Sequence, residues 1–356
     1  MVLLAGPRQV GKTWLAKEVG KSFNKTVYLN YDNFADREIM RNEGWSSDTE
    51  LLILDEIHKM SDWQTWLKGI FDTRKDGLRI LVTGSARMDM LSHSRESLAG
   101  RYFRNRLLPI SVAELKGTSY SSPLERLMSR GGFPEPLTSE SETDAIRWRS
   151  QYVDSLTRYD ILDYQRIFDF RALQLTVELL CQRVGSPVSF VSIAHDVGTS
   201  PTTIAKYVQL LEGLFLIFRV TPFSRNIARS LLKEPKVYFY DAAMVKDEGA
   251  RLENLIAISL LKDLWGRNDY LGEQWRLHYL RTKEGKETDF ALIRDERIQH
   301  IIECKSSDSK PDKNLCYFSS KYSLKATQLV RDLRNDNSVK GIEIRNSERF
   351  LKELFL

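Results

Sequence analysis

The chain has 356 residues, 28% of them charged and 42% hydrophobic, with 53 Lys and Arg against 48 Asp and Glu for a formal net charge of +5. At about 150 residues per domain the length implies two or three domains, and the composition excludes collagenous and disordered chains. No apolar run approaches the roughly 18 residues of a membrane span, so the chain reads as a cytoplasmic protein that does not contact the membrane. Cys181, Cys304 and Cys316 are odd in number and widely spaced, which suggests neither a disulfide framework nor a zinc site. The small basic excess leans towards a polyanionic partner without establishing one.

From the start of the chain, short apolar runs alternate with amphipathic stretches, as parallel strands and crossover helices do. Strands are expected at 2–5, 27–30, 51–54 and 80–83, with helices starting near Lys12, Asp36 and Trp63. Their apolar-throughout composition implies a sheet covered on both faces. The expected organisation is an α/β core at residues 1–106 and a helical lid or connector at 107–170. A winged helix-turn-helix is expected at 171–245 and a second α/β domain at 246–356. The connector carries a Gly131-Gly132-Phe133-Pro134 turn and a helix with Trp148, Tyr152 and Leu156 on one face. The winged helix rests on a helix through Cys181, a short helix at 191–197, a turn at 198–201, a helix at 202–211 and strands at 214–220 and 237–240.

Gly6-Pro7-Arg8-Gln9-Val10-Gly11-Lys12-Thr13 matches GxxxxGK[ST] directly after an apolar strand and at the start of a helix. In that context the loop amides wrap the β-phosphate of ATP, Lys12 neutralises β/γ charge and the Thr13 hydroxyl completes Mg²⁺ coordination. Leu51-Leu52-Ile53-Leu54 ends in Asp55-Glu56. A buried strand thereby delivers Asp55 to the sheet's C-terminal edge beside Mg²⁺ and leaves Glu56 available as the base that polarises attacking water. The strand at 80–83 ends in Gly84-Ser85-Ala86-Arg87, so Ser85 or Thr83 is a γ-phosphate sensor or part of a plain polar turn. Arg101 is either an arginine finger or a surface salt-bridging residue.

Towards the end of the chain, Thr288-Asp289-Phe290 and Glu303-Cys304-Lys305 have the form of a PD-(D/E)XK nuclease core. Residues i and i+2 of a strand share a face, so Glu303 and Lys305 point the same way. A hairpin centred near Asp295-Glu296 brings Asp289 to within about one residue of Glu303 across the ladder, close enough to share a divalent metal, with Lys305 orienting water or stabilising charge. Glu253, in an otherwise apolar helix, is the fourth candidate. A charged hairpin facing solvent is the competing interpretation.

The DNA-facing candidates on the winged helix are Thr199, Ser200, Thr202, Thr203 and Lys206, with Arg219, Arg225, Arg229 and Lys233 near the wing; packing alone is the alternative. His195 is expected to cap a helix or sit in the core.

The motifs GPRQVGKT, LLILDEIHK, LVTGSAR, SLAGR followed by LLPISVAEL, and GGFPEP together resemble the bacterial and archaeal AAA-type ATPases whose C-terminal half is a DUF4143 domain. The resemblance covers nearly the whole chain. It implies an ATPase core with the sensor strand between the two motif-bearing strands and a restriction-endonuclease-like C-terminal fold. With the motifs above, ATP and Mg²⁺ are the expected ligands, DNA the expected partner, and a homo-oligomer is left open. Related ATPases often draw adenine contacts from a segment of a few dozen residues ahead of the P-loop strand, whereas five residues precede Gly6 here.

Overall fold

The computed structural model describes residues 1–84, 98, 100–156, 169–224, 233–307 and 310–356. Ser85, Arg225 and Arg229 lie outside the described residues. The chain divides into two compact units, residues 1–108 with 213–215, and residues 109–212 with 216–356.

The first unit is a five-stranded parallel sheet in the order β2-β3-β4-β1-β5, built from β1 (Val2–Ala5), β2 (Thr26–Asn30), β3 (Leu51–Asp55), β4 (Arg79–Thr83) and β5 (Phe103–Arg106). Successive strand side chains point to opposite faces. Leu52 and Leu54 of β3 accordingly join Leu3, Ile80, Val82, Trp63 and Leu67 on one side, while Leu51 and Ile53 join Leu4, Leu81 and Ala16 on the other. This two-sided burial is why β3 reads as an uninterrupted apolar run. Helices α1 (Lys12–Gly20) and α3 (Trp63–Thr73) supply Ala16 and Trp63 to opposite layers, and α2 (Phe34–Arg41) is capped by the Asn33 side chain. β4 lies between β3 and β1, and the register pairs Asp55 with Thr83 and with Asn30 at the sheet's C-terminal edge.

The second unit begins with α4 (Pro123–Arg130), α5 (Pro134–Thr138) and α6 (Glu142–Ser155). The i, i+4 pair Trp148 and Tyr152 stacks at 4.9 Å, and both rings pack on Phe133 of the glycine turn. Then come α7 (Phe170–Gln182), α8 (Phe190–Val197) and α9 (Pro201–Gly213), followed by the antiparallel pair β6 (Ile217–Val220) and β7 (Lys236–Phe239). On α8 the buried residues are Ile193 and Ala194, whereas His195 exposes 91% of its side chain beside Asp196. The expectation that His195 caps a helix or fills the core is therefore corrected: it falls on the polar face of an amphipathic helix.

α10 (Glu248–Leu271) is capped by Asp247 and ends at a left-handed Gly272. Nearly all of its middle turns are buried, which explains its apolar sequence. β8 (Trp275–Arg281), β9 (Glu287–Arg294), β10 (Arg297–Lys305), β11 (Ala326–Val330), β12 (Asn337–Val339) and β13 (Ile342–Asn346) form a mixed sheet in the order β12-β13-β11-β10-β9-β8. The β9–β10 hairpin turns at Asp295 and Glu296, both at positive φ, as a two-residue type I′ loop requires. α11 (Lys313–Tyr322) packs Leu315 and Phe318 onto this sheet, and α12 (Ser347–Leu351) closes the chain. Among the described residues no helix is long and apolar enough to cross a membrane.

Candidate functional site

The loop between β1 and α1 takes positive φ at Gly6, Gln9 and Gly11. Positive-φ positions spaced through such a loop let backbone N–H groups turn towards one centre, as an anion cradle requires. Gly6 has a second reason to be glycine: a Cβ there would stand 2.1 Å from the Leu107 carbonyl oxygen. Lys12 lies buried at the start of α1, its Nζ donating to the carbonyls of Gly6, at 3.0 Å, and Pro7.

Asp55 is the polar centre of this edge, 2% exposed. Its Oδ2 accepts from Thr13 Oγ1 and from the Tyr28 hydroxyl, each at 2.8 Å, and its Oδ1 accepts from Thr83 Oγ1. A hydroxyl and a carboxylate side by side at the end of a phosphate loop are the hard oxygen donors that Mg²⁺ takes, so Thr13 and Asp55 fit that ion. The next residue, Glu56, is left-handed, at φ 57. That turn points its carboxylate away from the strand, with Oε2 buried and 3.6 Å from both His58 Nε2 and Lys59 Nζ. Arg101 Nε and Nη2 bond to Asp72 at 2.9 and 3.1 Å, so its guanidinium is engaged on the surface.

A second polar cluster lies in the other unit. The ladder pairs Ile302 with Phe290, which sets Asp289 opposite Glu303, and the Asp289 amide donates to Glu303 Oε2 at 3.3 Å. Thr288 Oγ1 donates to the same oxygen at 3.1 Å, and Lys305 Nζ donates to Glu303 Oε1 at 2.8 Å. Asp289 Oδ2 accepts the Cys304 amide at 3.0 Å. The structure thus brings Glu253, Asp289, Glu303 and Lys305 into one neighbourhood, but it also brings Lys236 from β7. Lys236 Nζ stands 2.9 Å from Glu287, 3.1 Å from Asp289 and 3.3 Å from Glu253, and Glu253 further accepts the Tyr238 hydroxyl at 2.6 Å. Among the described residues no three His, Cys, Asp or Glu side chains are arranged to hold a metal ion.

Residues 1–116 match the AAA domain family (AAA_14), residues 121–248 a domain of unknown function (DUF8612) and residues 248–348 another (DUF4143). The chain joins an AAA domain to a C-terminal DUF4143 domain. An uncharacterised protein of Mycobacterium bovis is 27% identical over 310 residues, an alignment covering 81% of this chain and 66% of the relative, so the chain spans less than two thirds of that protein. An uncharacterised protein of Haemophilus influenzae is 24% identical over 386 residues, covering 96% and 92%. Among solved structures, the Aeropyrum pernix ORC1 protein in complex with DNA aligns over 72% of this chain and 86% of its own at 13% identity, with a TM-score of 0.33.

Electrostatics separate the two clusters. In the AAA domain, burial lowers the Lys12 pKa to about 8 despite nearby Glu56 and Asp55, a cost that a bound triphosphate would reverse. Burial raises the Glu56 pKa, with Lys59 opposing, which favours its carboxylate as a proton acceptor. In the second cluster, burial works against the charged form of Lys236, but Asp289, Glu253 and Glu287 outweigh it and raise its pKa. Burial raises Glu253 and Glu303 in turn, each reinforced by Asp289.

Sequence reasoning missed Tyr28 and Lys236. Tyr28 sits mid-strand in Thr26-Val27-Tyr28-Leu29-Asn30, where an aromatic reads as sheet packing. Lys236 stands at the first position of its strand and shares a face with Tyr238, a pairing that period-2 counting from the lysine would have exposed.

Proposed function

We propose that residues 1–108 bind and hydrolyse Mg·ATP, and that the nucleotide state is read out by the C-terminal half as a change in its binding to DNA. The observation carrying the hydrolytic reading is the convergence of Thr13, Thr83 and Tyr28 on Asp55 at the mouth of a Lys12-bearing phosphate loop. The loop amides and Lys12 bind the β- and γ-phosphates, Lys12 exchanging its two carbonyl partners for phosphate oxygens. Thr13 and Asp55 would hold Mg²⁺, which supplies charge neutralisation on the phosphate oxygens when bound. Glu56 accepts the proton of the attacking water, and Thr83 keeps Asp55 from rotating while it does so.

The DNA reading draws support from the order helix, helix, exposed-turn helix and antiparallel ribbon in α7 to β7, the order of a winged helix-turn-helix. The Ser200 hydroxyl accepts the Thr203 amide and so caps α9, leaving Thr202 and Lys206 exposed at that end. For the DUF4143 domain, the position of Lys236 favours a non-catalytic nuclease-like fold that binds DNA or a protein over one that cleaves DNA.

The test is ATP turnover by purified protein with Mg²⁺, with and without single- and double-stranded DNA. Lys12→Ala should abolish turnover, and Glu56→Gln should lower kcat about 10²- to 10⁴-fold while ATP still binds. Wild-type protein that binds ATP without turning it over would refute hydrolysis, and turnover or DNA affinity indifferent to the other ligand would refute the coupling.

A further inference from the structure

A nuclease-like domain with a D…ExK strand pair is expected to hold a divalent metal between its carboxylates. The residues here do not fit that ion. We infer that the Lys236 ammonium is the resident cation of this cluster, standing in the place of a divalent metal. The inference rests on reading the DUF4143 domain as a nuclease-like fold.

Three observations carry it. First, Lys236 Nζ lies within 3.3 Å of carboxylate oxygens from α10 and β9, on Glu253, Glu287 and Asp289, and its side chain is 1% exposed. A cation already sits among the acids, and it is walled from water. Second, the oxygens that would face a metal are otherwise engaged. Asp289 divides its oxygens between Lys236 and the Cys304 amide, and Glu303 divides its own between Lys305 and the Thr288–Asp289 pair of donors. Third, the lysine is rigidly presented. It opens β7, paired to β6 through Val220, and two positions along the same strand Tyr238 donates to Glu253. A divalent ion entering here would meet an ammonium a few ångströms away in a medium of low dielectric, where like charges repel strongly.

Burying such a lysine is costly unless its partners are good, and once they are good, removing it strands several carboxylates without a counter-charge. That asymmetry makes the inference testable. Mn²⁺ binding would be titrated by calorimetry on nucleotide-free full-length protein in an Asp55→Asn background, which silences the phosphate-loop site. With Lys236 intact, no Mn²⁺ binding that Asp289→Asn removes is expected. Lys236→Gln should create binding of a single Mn²⁺, at least about tenfold tighter than the background and lost again on adding Asp289→Asn. Asp289-dependent Mn²⁺ binding with Lys236 intact would overturn the inference, as would a folded Lys236→Gln chain that gains no Mn²⁺. If Lys236→Gln fails to fold, the comparison with Lys236 intact still decides. None of these readouts involves ATP turnover, so failure here is distinct from failure of the ATPase reading.

Discussion

The Tyr28 hydroxyl and the Thr13 hydroxyl meet on one oxygen, Oδ2 of Asp55, each at 2.8 Å. On the proposed reading, Thr13 turns towards the metal when Mg·ATP binds, whereas Tyr28 remains to hold the carboxylate in place. Burial and Asp55 together raise the Tyr28 pKa, so it stays a donor throughout the working pH range. Tyr28→Phe keeps the ring beneath Lys17 and removes the hydroxyl that donates to Asp55 and accepts from Asn30 Nδ2 at 3.4 Å. The Mg²⁺ concentration for half-maximal ATPase activity should rise about three- to tenfold, with little change in Tm; a hydrogen bond to a charged group is worth roughly 1.5–3 kcal/mol, part of which water restores.

Gly6→Ala places a methyl 2.1 Å from the Leu107 carbonyl oxygen, at a backbone φ of +152 that side-chain-bearing residues rarely adopt. The neighbour is backbone and cannot swing aside. Urea denaturation should show a loss of about 2 kcal/mol or more, with nucleotide affinity falling in parallel because the same loop is displaced.

Gly131→Ala should be as severe for a different reason. Its Cβ would stand 2.0 Å from Asp241 Oδ1, and Asp241 is only 3% exposed, so the carboxylate has no room to withdraw. The expected loss is about 2–4 kcal/mol by chemical denaturation. Because the two sites touch, Gly131→Ala combined with Asp241→Ala should cost less than the sum of the single changes.

Asp241 also predicts a pH dependence. Burial raises its pKa from 3.8 to about 6, with Arg149 only partly opposing. Below the unfolded value the group is neutral in both states and exacts nothing. Between about pH 4 and 6 the folded state holds the proton more tightly, so stability falls as pH rises, and above about 6 the full cost is present. Two pH units correspond to about 3 kcal/mol. Asp241→Asn keeps an acceptor for the Ala243 amide and should flatten that slope by this amount in denaturation measured from pH 4 to 7.

The AAA domain was legible because its signals are local. The phosphate loop is contiguous, and the run from Leu51 to Asp55 announces a doubly buried strand ending in an acid. The β9–β10 turn at Asp295 and Glu296 was equally readable from turn chemistry and alternation, and with it the facing of Asp289 and Glu303. What escaped depends on contacts far apart in sequence. Nothing local links Tyr28 to Asp55, 27 positions away, and Lys236 meets Glu253 and Asp289 only because β7 comes to lie against α10 and β9. His195 directly follows the buried Ile193 and Ala194, yet the helical period assigns it to the other face.

Arg331 binds Glu125 through Nε and Nη2 and Glu248 through Nη1, tying a residue of the DUF4143 match to one of the DUF8612 match. Lys236, too, lies in the DUF8612 match and serves acids of the DUF4143 match. The two families are defined as separate modules, yet here each completes the other's charges within one folded body. A recombination event that moved the DUF4143 segment alone would carry off Glu253, Glu287 and Asp289 without their cation. The folding unit is therefore the pair of matched segments.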